Sequence, residues 1–409
     1  MPKLGVIADD FTGAADAASF LANAGVNTLL YDGVPRTISL ECDAAVIALK
    51  SRSQPVAKAV TASLEALEVL QRSGTQRFYF KYCSTFDSTP QGNIGPVIDA
   101  LMEQLDLPAT VLAPAFPVNG RTVRDGILYV QGIPLAESPM KDHPLNPMWA
   151  SQLAELMRLQ GRYRVVTITR RQLGDSVMTS AFKQHSIKNR VYYVPDYETD
   201  KDAECILRHF ENYRLLTGAS ALLGAWGRRL GGSGQKNVAG IAGRCLLLAG
   251  SCSNATRAQV RAWKKAGNPA FRIAPEILEN GADDIIRQLL PRLLERDSLV
   301  YSSADHDEVC LAKAKDPDIG SKLEQWFARL AAVAAESGIK RWIVAGGETS
   351  GAVMQALGIG VCAVGPDLAP GVPMLIPLEK EEYRIVLKSG NFGQEDFFLR
   401  ACERTGIHE

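Results

Sequence analysis

Two adjacent carboxylates follow the first strand-like segment of the chain. Asp9 and Asp10 come directly after the apolar run 4–8, and the hydroxyl of Thr12 follows two residues later. In open α/β sheets ligands bind beyond the carboxyl ends of the strands, so these groups stand where a substrate would bind. One acid is expected to cap the next helix. The other is then free to accept a proton from a substrate hydroxyl or to bind a metal ion.

Basic and polar residues follow the next strand-like segments. Arg52 comes shortly after the run 44–49, and a guanidinium group suits a bidentate grip on a planar carboxylate. Lys81 lies inside an otherwise aromatic run, FYFKYC, and a buried lysine needs a partner. Asp87 in the following loop is the natural candidate, and Ser88 adds a hydroxyl group beside it.

A proline-containing loop, PAFPVNGRTVRD at 114–125, adds Asn119 and Arg121 to the polar residues of the N-terminal half. It is longer than a simple turn, and loops of this kind are often functional. A role in docking the hairpin that follows is the alternative. The sequence leaves both interpretations open.

Three loops of the C-terminal half share one order: strand, then glycine and hydroxyl residues, then helix. Glycine lets the backbone approach an oxygen cage, and the first N–H groups of a helix are unpaired donors. Any α/β protein needs such residues at tight turns, but three loops in one half favour a polyphosphate site. Glu348 is the candidate ligand for Mg²⁺, directly or through water. The loops are 250–256, 346–351 and 388–393.

Several common classes are excluded by inspection. The chain contains no Walker-type phosphate loop, no protein-kinase H-R-D or D-F-G set, no G-x-G-x-x-G after the first strand and no G-x-S-x-G elbow. Lys plus Arg equals Asp plus Glu, 45 each, so the overall charge predicts neither nucleic acid nor a membrane as partner. The eight cysteines and five histidines show no zinc-ligand spacing. With no signal-like segment either, a reducing cytoplasmic location is expected.

Short apolar segments alternate with helical patterns along almost the whole chain, which is the order of βαβ units in a largely parallel sheet. A length of 409 residues suggests two or three domains. The glycine-rich segment 231–240 is the best linker, so we expect domains at 1–235 and 236–409. We predict strands at 4–8, 28–31, 44–49, 78–82, 110–113, 165–169, 191–194, 244–248, 299–302, 342–345, 360–364, 374–376 and 384–387, helices at 14–24, 56–72 and 150–160, and a hairpin at 126–135.

Six sequence blocks, distributed over both halves, resemble the four-carbon acid sugar kinase family. The resemblance implies two three-layer (αβα) domains with mainly parallel sheets, the first binding the acid sugar and the second the nucleotide, with the active site in the interdomain cleft. Carried to matching positions, it places nucleotide contacts on Ser251 or Ser253, on Gly346, Gly347, Glu348 and Thr349, and on Gly390. The blocks are IADDFTGAADAASFL (7–21), LKSRS (49–53), FYFKYCSTFDSTPQGNIGPV (78–97), PAFPVNGRTV (114–123), AGSCSNAT (249–256) and AGGETSGAV (345–353).

The resemblance further implies that ATP, with Mg²⁺, phosphorylates a four-carbon sugar acid at its terminal hydroxyl. It is greatest to the members that act on 3-oxo-tetronate, with kinases of threonate or erythronate as alternatives. A sugar-acid aldolase or dehydratase that uses no ATP, and a non-catalytic sensor, are the rivals from other classes. The expected partners are small molecules, and the oligomeric state is open, with a homodimer the commonest soluble assembly.

The sequence supports one hypothesis for the sugar-acid site. Asp10 acts as base or orients the reacting hydroxyl, Arg52 binds the substrate carboxylate, and Lys81 with Asp87 forms a paired polar wall. The remaining substrate-binding candidates are Asp9, Thr12, Ser88, Asn119 and Arg121.

Overall fold

The first strand, Leu4–Ala8, is buried along its whole length, so other elements cover both faces of its sheet. The structure, a computed structural model, describes residues 1–142, 147–174, 189–232, 234, 238–275 and 282–407. The chain forms two compact units, Met1–Gly234 and Gln235–Glu409.

The main sheet of the N-terminal unit is parallel throughout its paired strands. The strands of this unit are β1 (Leu4–Ala8), β2 (Thr28–Asp32), β3 (Ala44–Ala48), β4 (Phe78–Lys81), β5 (Ala109–Ala113), β6 (Arg121–Arg124), β7 (Ile127–Val130), β8 (Ile133–Pro134), β9 (Arg164–Ile168), β10 (Val191–Pro195) and β11 (Leu215–Gly218). The order across the main sheet is β2-β3-β1-β4-β11-β5-β10-β9, and β6-β7-β8 form a small antiparallel sheet.

Helices of this unit alternate with the strands and pack against them. Helix α2 begins directly after Pro55, whose backbone conformation suits a helix start, and it packs on α3. The helices are α1 (Phe11–Asn23), α2 (Val56–Arg72), α3 (Ile94–Gln104), α4 (Leu153–Arg158), α5 (Arg170–Leu173), α6 (Asp200–Phe210) and α7 (Ser220–Leu230), with short 3₁₀ helices at Pro117–Asn119, Leu135–Glu137 and Pro139–Asp142.

The C-terminal unit repeats the α/β order with a mixed sheet. Its strands are β12 (Cys245–Ala249), β13 (Ala270–Arg272), β14 (Ser298–Tyr301), β15 (Arg341–Ala345), β16 (Val361–Ala369), β17 (Val372–Pro377) and β18 (Arg384–Lys388). Their order is β13-β14-β12-β15-β18-β17-β16, and β17 runs antiparallel to both neighbours. Its helices are α8 (Asn254–Lys265), α9 (Ala282–Glu295), α10 (His306–Lys315), α11 (Ile319–Glu336), α12 (Gly347–Ala356) and α13 (Phe397–Thr405).

The predicted fold class, α/β with mainly parallel sheets, is confirmed. The helix predicted at 150–160 is shorter, Leu153–Arg158, because the backbone of residues 151 and 152 pairs with β7 instead. The hairpin predicted at 126–135 is part of the three-stranded sheet that begins at Arg121. Strands β11 and β13 were missed because each offers only a short apolar run.

Part of the predicted linker, residues 233 and 235–237, lies outside the described residues. The boundary expected between residues 235 and 236 falls there and stays a prediction. Within the described part of the chain, the helices are all too short or too polar to cross a membrane.

Gly218 at the end of β11 offers a test of the close strand packing. A Cβ atom added there would lie 2.1 Å from the carbonyl oxygen of Ala113, and φ is +153°. We expect Gly218→Ala to lower the free energy of unfolding by about 1–3 kcal/mol, because the backbone of β5 cannot give way. Urea denaturation measures the change.

The matched control is Gly174→Ala in the same unit. Among the residues that the structure describes, a Cβ atom there meets only ordinary contacts, 3.5 Å or more away. Its free energy of unfolding should stay within about 0.5 kcal/mol of the parent value. Equal stability of the two variants would contradict the packing argument.

Candidate functional site

The strands of the N-terminal unit end in register at one edge of the sheet. Ala8 of β1 is aligned with Ala48 of β3 on one side and with Lys81 of β4 on the other. The loops that follow these three strands therefore emerge side by side, at the edge where open α/β sheets bind ligands.

Arg52 is held by the two acids that follow β1. Its Nε and Nη2 donate to the two carboxylate oxygens of Asp9 at 2.9 and 2.8 Å, and Nη2 also donates to Asp10 at 2.9 Å. The backbone adds to this arrangement, because the Asp9 carbonyl accepts from the N–H groups of Ser51 and Arg52. The guanidinium group predicted to bind a substrate carboxylate thus already has two carboxylate partners.

Asp10 is the N-cap of α1, as expected for one of the two acids. Its carboxylate accepts from the backbone N–H of Gly13 at 2.9 Å and from the Thr12 hydroxyl at 3.0 Å. The other acid, Asp9, is not free as expected of the acid that does not cap the helix, because both of its carboxylate oxygens accept from Arg52 and only 5% of its side chain is exposed. Asp10 retains 23% exposure, so it is the acid of the pair that a substrate can reach.

Burial and neighbouring charges together shift the pKa values of the two acids in opposite directions. Burial is the largest effect on Asp9 and raises its pKa, although Arg52 opposes this. Burial also acts on Asp10, but the positive charges of Arg52 and Lys81 outweigh it and lower the pKa of that carboxyl. At neutral pH the negative charge is therefore held firmly on the accessible acid.

Lys81 is buried at the end of β4, and its partner differs from the one we expected. The ammonium group lies 3.8 Å from a carboxylate oxygen of Asp16 on α1 and donates to the Tyr82 carbonyl at 3.2 Å. Asp87 instead accepts from the Thr85 hydroxyl at 2.7 Å and from the Cys83 thiol at 3.2 Å. Sequence proximity favoured Asp87, whereas helix packing brings Asp16 over the strand end.

The remaining predicted substrate residues lie on loops of the same unit. The Ser88 hydroxyl donates to Gln160 at 3.0 Å. Arg121 donates from Nη1 to the Asn119 carbonyl at 2.7 Å, while its Nε is buried and has no acceptor among the described residues. Arg121 also lies within electrostatic range of Cys83 and Asp87, which connects it to the loop after β4.

In the C-terminal unit three parallel strands end in register. Ala249 of β12 is aligned with Ala345 of β15, and Ala345 is aligned with Lys388 of β18. The three glycine-containing loops predicted to bind phosphate follow these residues. They therefore lie next to one another at one edge of the sheet.

These loops contact one another so closely that side chains are excluded. A Cβ atom added to Gly390 would lie 2.3 Å from the Ser251 hydroxyl, and one added to Gly250 would lie 2.1 Å from the Thr349 hydroxyl. Gly346 has a φ of +125°, which favours glycine. Ser253 caps α8 and donates to the Gly390 carbonyl at 2.5 Å. The result is a cradle of backbone groups that suits the oxygens of a polyphosphate.

Two family models match the chain, one in each unit. The sugar-binding N-terminal domain model matches residues 4–226, and the nucleotide-binding C-terminal domain model matches residues 246–398. Among curated relatives, the 3-oxo-tetronate kinase of Brucella melitensis is 41% identical over 98% of this chain and 95% of that protein. The 3-oxo-tetronate kinase of Salmonella typhimurium is 41% identical over 98% of this chain and 99% of its own length.

This chain belongs to the four-carbon acid sugar kinase family. It is a sugar-acid kinase, as the sequence resemblance predicted. Two solved structures have the same fold over nearly the whole chain. A Salmonella typhimurium protein, described as a tRNA synthase, has a TM-score of 0.86 at 41% identity and covers 98% of this chain and 99% of its own. A Haemophilus influenzae protein has a TM-score of 0.78 at 38% identity, with coverage of 98% and 100%.

The residues of the cradle fit the phosphates of a nucleotide better than they fit a protein-held metal ion. Glu348 is exposed in the first turn of α12. Within the described ranges, no group of three His, Cys, Asp or Glu side chains could hold a metal ion. A cation in this kinase would thus depend on the phosphate oxygens for most of its ligands.

Sequence reasoning missed two buried residues that support the loops of this kinase. Lys388 is fully buried and donates to Thr256 and to the Gly390 carbonyl, both at 3.0 Å. Asn93, at the start of α3, donates from Nδ2 to the carbonyl groups of Ser51, Arg52 and Gln54. For Lys388, the signal in the sequence was its position at the end of a strand. For Asn93 there was no signal, because its partners are backbone carbonyl groups, which every residue carries.

Asn93 offers a test of how the Arg52 loop is held. Asn93→Asp places a carboxylate oxygen against three carbonyl oxygens and removes the shared donor. We expect the free energy of unfolding to fall by about 1–3 kcal/mol. We also expect the KM for the sugar acid to rise, because the loop that carries Arg52 shifts. Chemical denaturation and steady-state kinetics measure the two effects.

Gln104→Glu is the matched amide-to-acid control. Gln104 is exposed at the end of the same helix, α3. Both its stability and its KM should stay near the parent values. If Asn93→Asp behaves like this control, the amide does not hold the loop.

Proposed function

We propose that this kinase transfers the γ-phosphoryl group of ATP to the 4-hydroxyl of 3-oxo-tetronate. The observation that carries the proposal is that each unit has its own, chemically different loop cluster. One is a glycine cradle suited to phosphates, and the other is a cluster of acidic and basic side chains. The names of the full-length relatives support 3-oxo-tetronate as the acid.

The cradle accounts for the phosphoryl donor. Ser251, Ser253 and Thr349 place hydroxyl groups against Gly250 and Gly390, whose lack of a side chain lets the three loops pack together and present their hydroxyl and backbone donors from one place. Phosphoryl transfer depends mostly on positioning and on stabilising charge, and backbone donors supply both. Mg²⁺ would supply further positive charge at the phosphates, and Glu348 would hold it directly or through water.

Arg121 is the better candidate than Arg52 for the carboxylate of the sugar acid. Arg52 already has two carboxylate partners, so a third negative group gains little from it. Arg121 makes no ion pair among the residues that the structure describes, and its Nε lacks an acceptor. Burial lowers the pKa of Arg121, which is the signature of a guanidinium group whose charge is poorly compensated. A substrate carboxylate would supply the missing partner.

Asp10 is the proposed group that orients the reacting hydroxyl. Its lowered pKa makes it a weak base, so its main task is to accept a hydrogen bond from the hydroxyl during transfer. Lys81 acts through Asp10, because its buried ammonium group is one of the two charges that lower the pKa of Asp10. Asp87 remains a candidate for contact with the polar hydroxyls of the sugar. The meeting of both clusters in the catalytic state stays a prediction from the sequence.

An assay with a panel of acids tests the function. Purified protein is mixed with ATP, Mg²⁺ and, in turn, 3-oxo-tetronate, threonate and erythronate, and ADP release is measured. We expect release that depends on the acid and is fastest with 3-oxo-tetronate. Faster turnover of threonate or erythronate would reassign the substrate, and acid conversion without ADP release would remove the proposal.

Arg121→Met tests the carboxylate contact. Loss of a charged hydrogen-bond donor should raise the KM for the sugar acid by roughly 10- to 100-fold and leave the KM for ATP near the parent value. The control is Arg124→Met on the same strand, whose side chain is 55% exposed. A raised KM in the control alone, or in neither variant, would return the role to Arg52.

A further inference from the structure

Lys388 is a buried lysine beneath the phosphate cradle, and no carboxylate of the described residues pairs with it. The residue is 0% exposed at the end of β18. Its hydrogen-bond partners are neutral oxygens, the Thr256 hydroxyl and the Gly390 carbonyl, and its ammonium nitrogen lies 6.0 Å from the centroid of the Phe398 ring. No described Asp or Glu forms an ion pair with it, although buried charges are normally paired. Neutral oxygens and an aromatic ring compensate a buried charge only in part, so a further negative group nearby would stabilise the ammonium form.

The Gly390 carbonyl is the point at which Lys388 meets the cradle. This oxygen accepts three bonds, from Ser253 at 2.5 Å, from Thr256 at 2.9 Å and from Lys388 at 3.0 Å. In a trans peptide the C=O and the following N–H point in opposite directions. Because three donors hold the Gly390 carbonyl towards the protein interior, the N–H of Asn391 points towards the surface. Asn391 is exposed, in agreement with this direction.

We propose that Lys388 is a positioning residue of the nucleotide site. It holds the Gly390 carbonyl towards the protein interior, so that the Asn391 N–H is directed at the nucleotide phosphates. Its positive charge also attracts these phosphates. The inference rests on the proposed use of a nucleotide. Lys388 does not touch the phosphates, because its side chain is sealed behind Gly390 and Thr256. It acts through the peptide group and through space, where the low-dielectric interior screens its charge weakly.

The surroundings of Lys388 support a charge that the nucleotide compensates. Burial alone lowers the pKa of Lys388 to about 7, with no contribution from another charged group. Strands β15 and β17 and helices α12 and α13 pack against β18, and α8 supplies Thr256. The charged or titratable residues on these elements are Arg257, Arg261, Lys264, Lys265, Arg341, Glu348, Arg400, Cys402, Glu403 and Arg404.

The pH dependence of nucleotide affinity follows from this arrangement. In the free protein the ammonium form dominates below pH 7 and the neutral amine dominates above it. Bound phosphates favour the charged form, so binding takes up a proton above pH 7. The affinity should be constant or slowly varying below pH 7 and should fall, by up to about tenfold per pH unit, as the pH rises above 7.

Titration of ADP with Mg²⁺ into the full chain, followed by calorimetry from pH 6 to pH 9, tests the inference. Lys388→Met keeps the length of the side chain and removes the charge. At pH 6.5 we expect the Kd of this variant for ADP to be roughly 10- to 100-fold higher than that of the parent. We also expect its affinity for ADP not to fall above pH 7. Its stability should be unchanged or higher, because an apolar chain replaces an uncompensated buried charge. Lys264 is an exposed lysine on α8, so Lys264→Met is the control that removes one charge elsewhere. This variant should bind ADP with the affinity of the parent.

The outcomes separate this inference from the proposed function. If the parent protein binds no ADP at any pH, both fail. If it binds ADP but Lys388→Met binds equally well, or if the parent affinity does not fall above pH 7, the role of Lys388 is overturned and the kinase assignment stands. The parent pH profile requires no variant, so it decides the question even if Lys388→Met does not fold.

Discussion

The parallel strands of each unit end in register, and this alignment determines which loops can act together. Ser253 and Gly390 are 137 positions apart in the chain, yet they share a hydrogen bond because β12, β15 and β18 end at the same edge. The same geometry brings Arg52, 42 positions away, onto Asp10. Backbone pairing therefore decides the position of the chemistry before any side chain is placed.

Charge pairing then divides the N-terminal cluster into residues that support the loops and residues that can contact a substrate. Arg52 and Asp9 neutralise each other through two short hydrogen bonds, which makes them a support for the loop. Asp10 shares that support but stays accessible, and its ionised form is stabilised by Arg52 and Lys81. Arg121 is left with a charge that the described side chains do not pair. The residues best suited to meet a substrate are thus those whose partners leave them incompletely satisfied.

Buried side-chain amides fix the conformation of loops that have no regular backbone hydrogen bonding of their own. Asn93 donates to three carbonyl groups of the Arg52 loop, and Gln259 donates in the same way to those of Phe392, Gly393 and Gln394. Both side chains are buried, so these bonds are made in a low-dielectric environment where leaving them unmade is costly. Loops held in this way can present donors to a ligand without reorganising when it binds.

The amino-acid sequence determined the order of βα units, the positions of most strands and the character of each loop. These features depend on local patterns: apolar runs for buried strands, and glycine and hydroxyl residues at strand-to-helix turns. The two acids after β1 and the three glycine loops were found in this way, and so was the family, because long blocks of residues are specific. Glycine at 250 and 390 was interpreted as permitting a close approach of the backbone to phosphate oxygens, which stays a prediction, whereas the structure shows that these positions permit the close approach of neighbouring loops.

The partners of the charged residues were decided only by the tertiary structure. Lys81 meets Asp16 because α1 packs across the end of β4, and Arg52 is shared by Asp9 and Asp10 because β1 and β3 are neighbours. Lys388 and Asn93 act on backbone carbonyl groups, which every residue carries alike. Residue types and spacing cannot reveal such contacts, since an ion pair depends on distances across the fold and a carbonyl partner has no identity in the sequence.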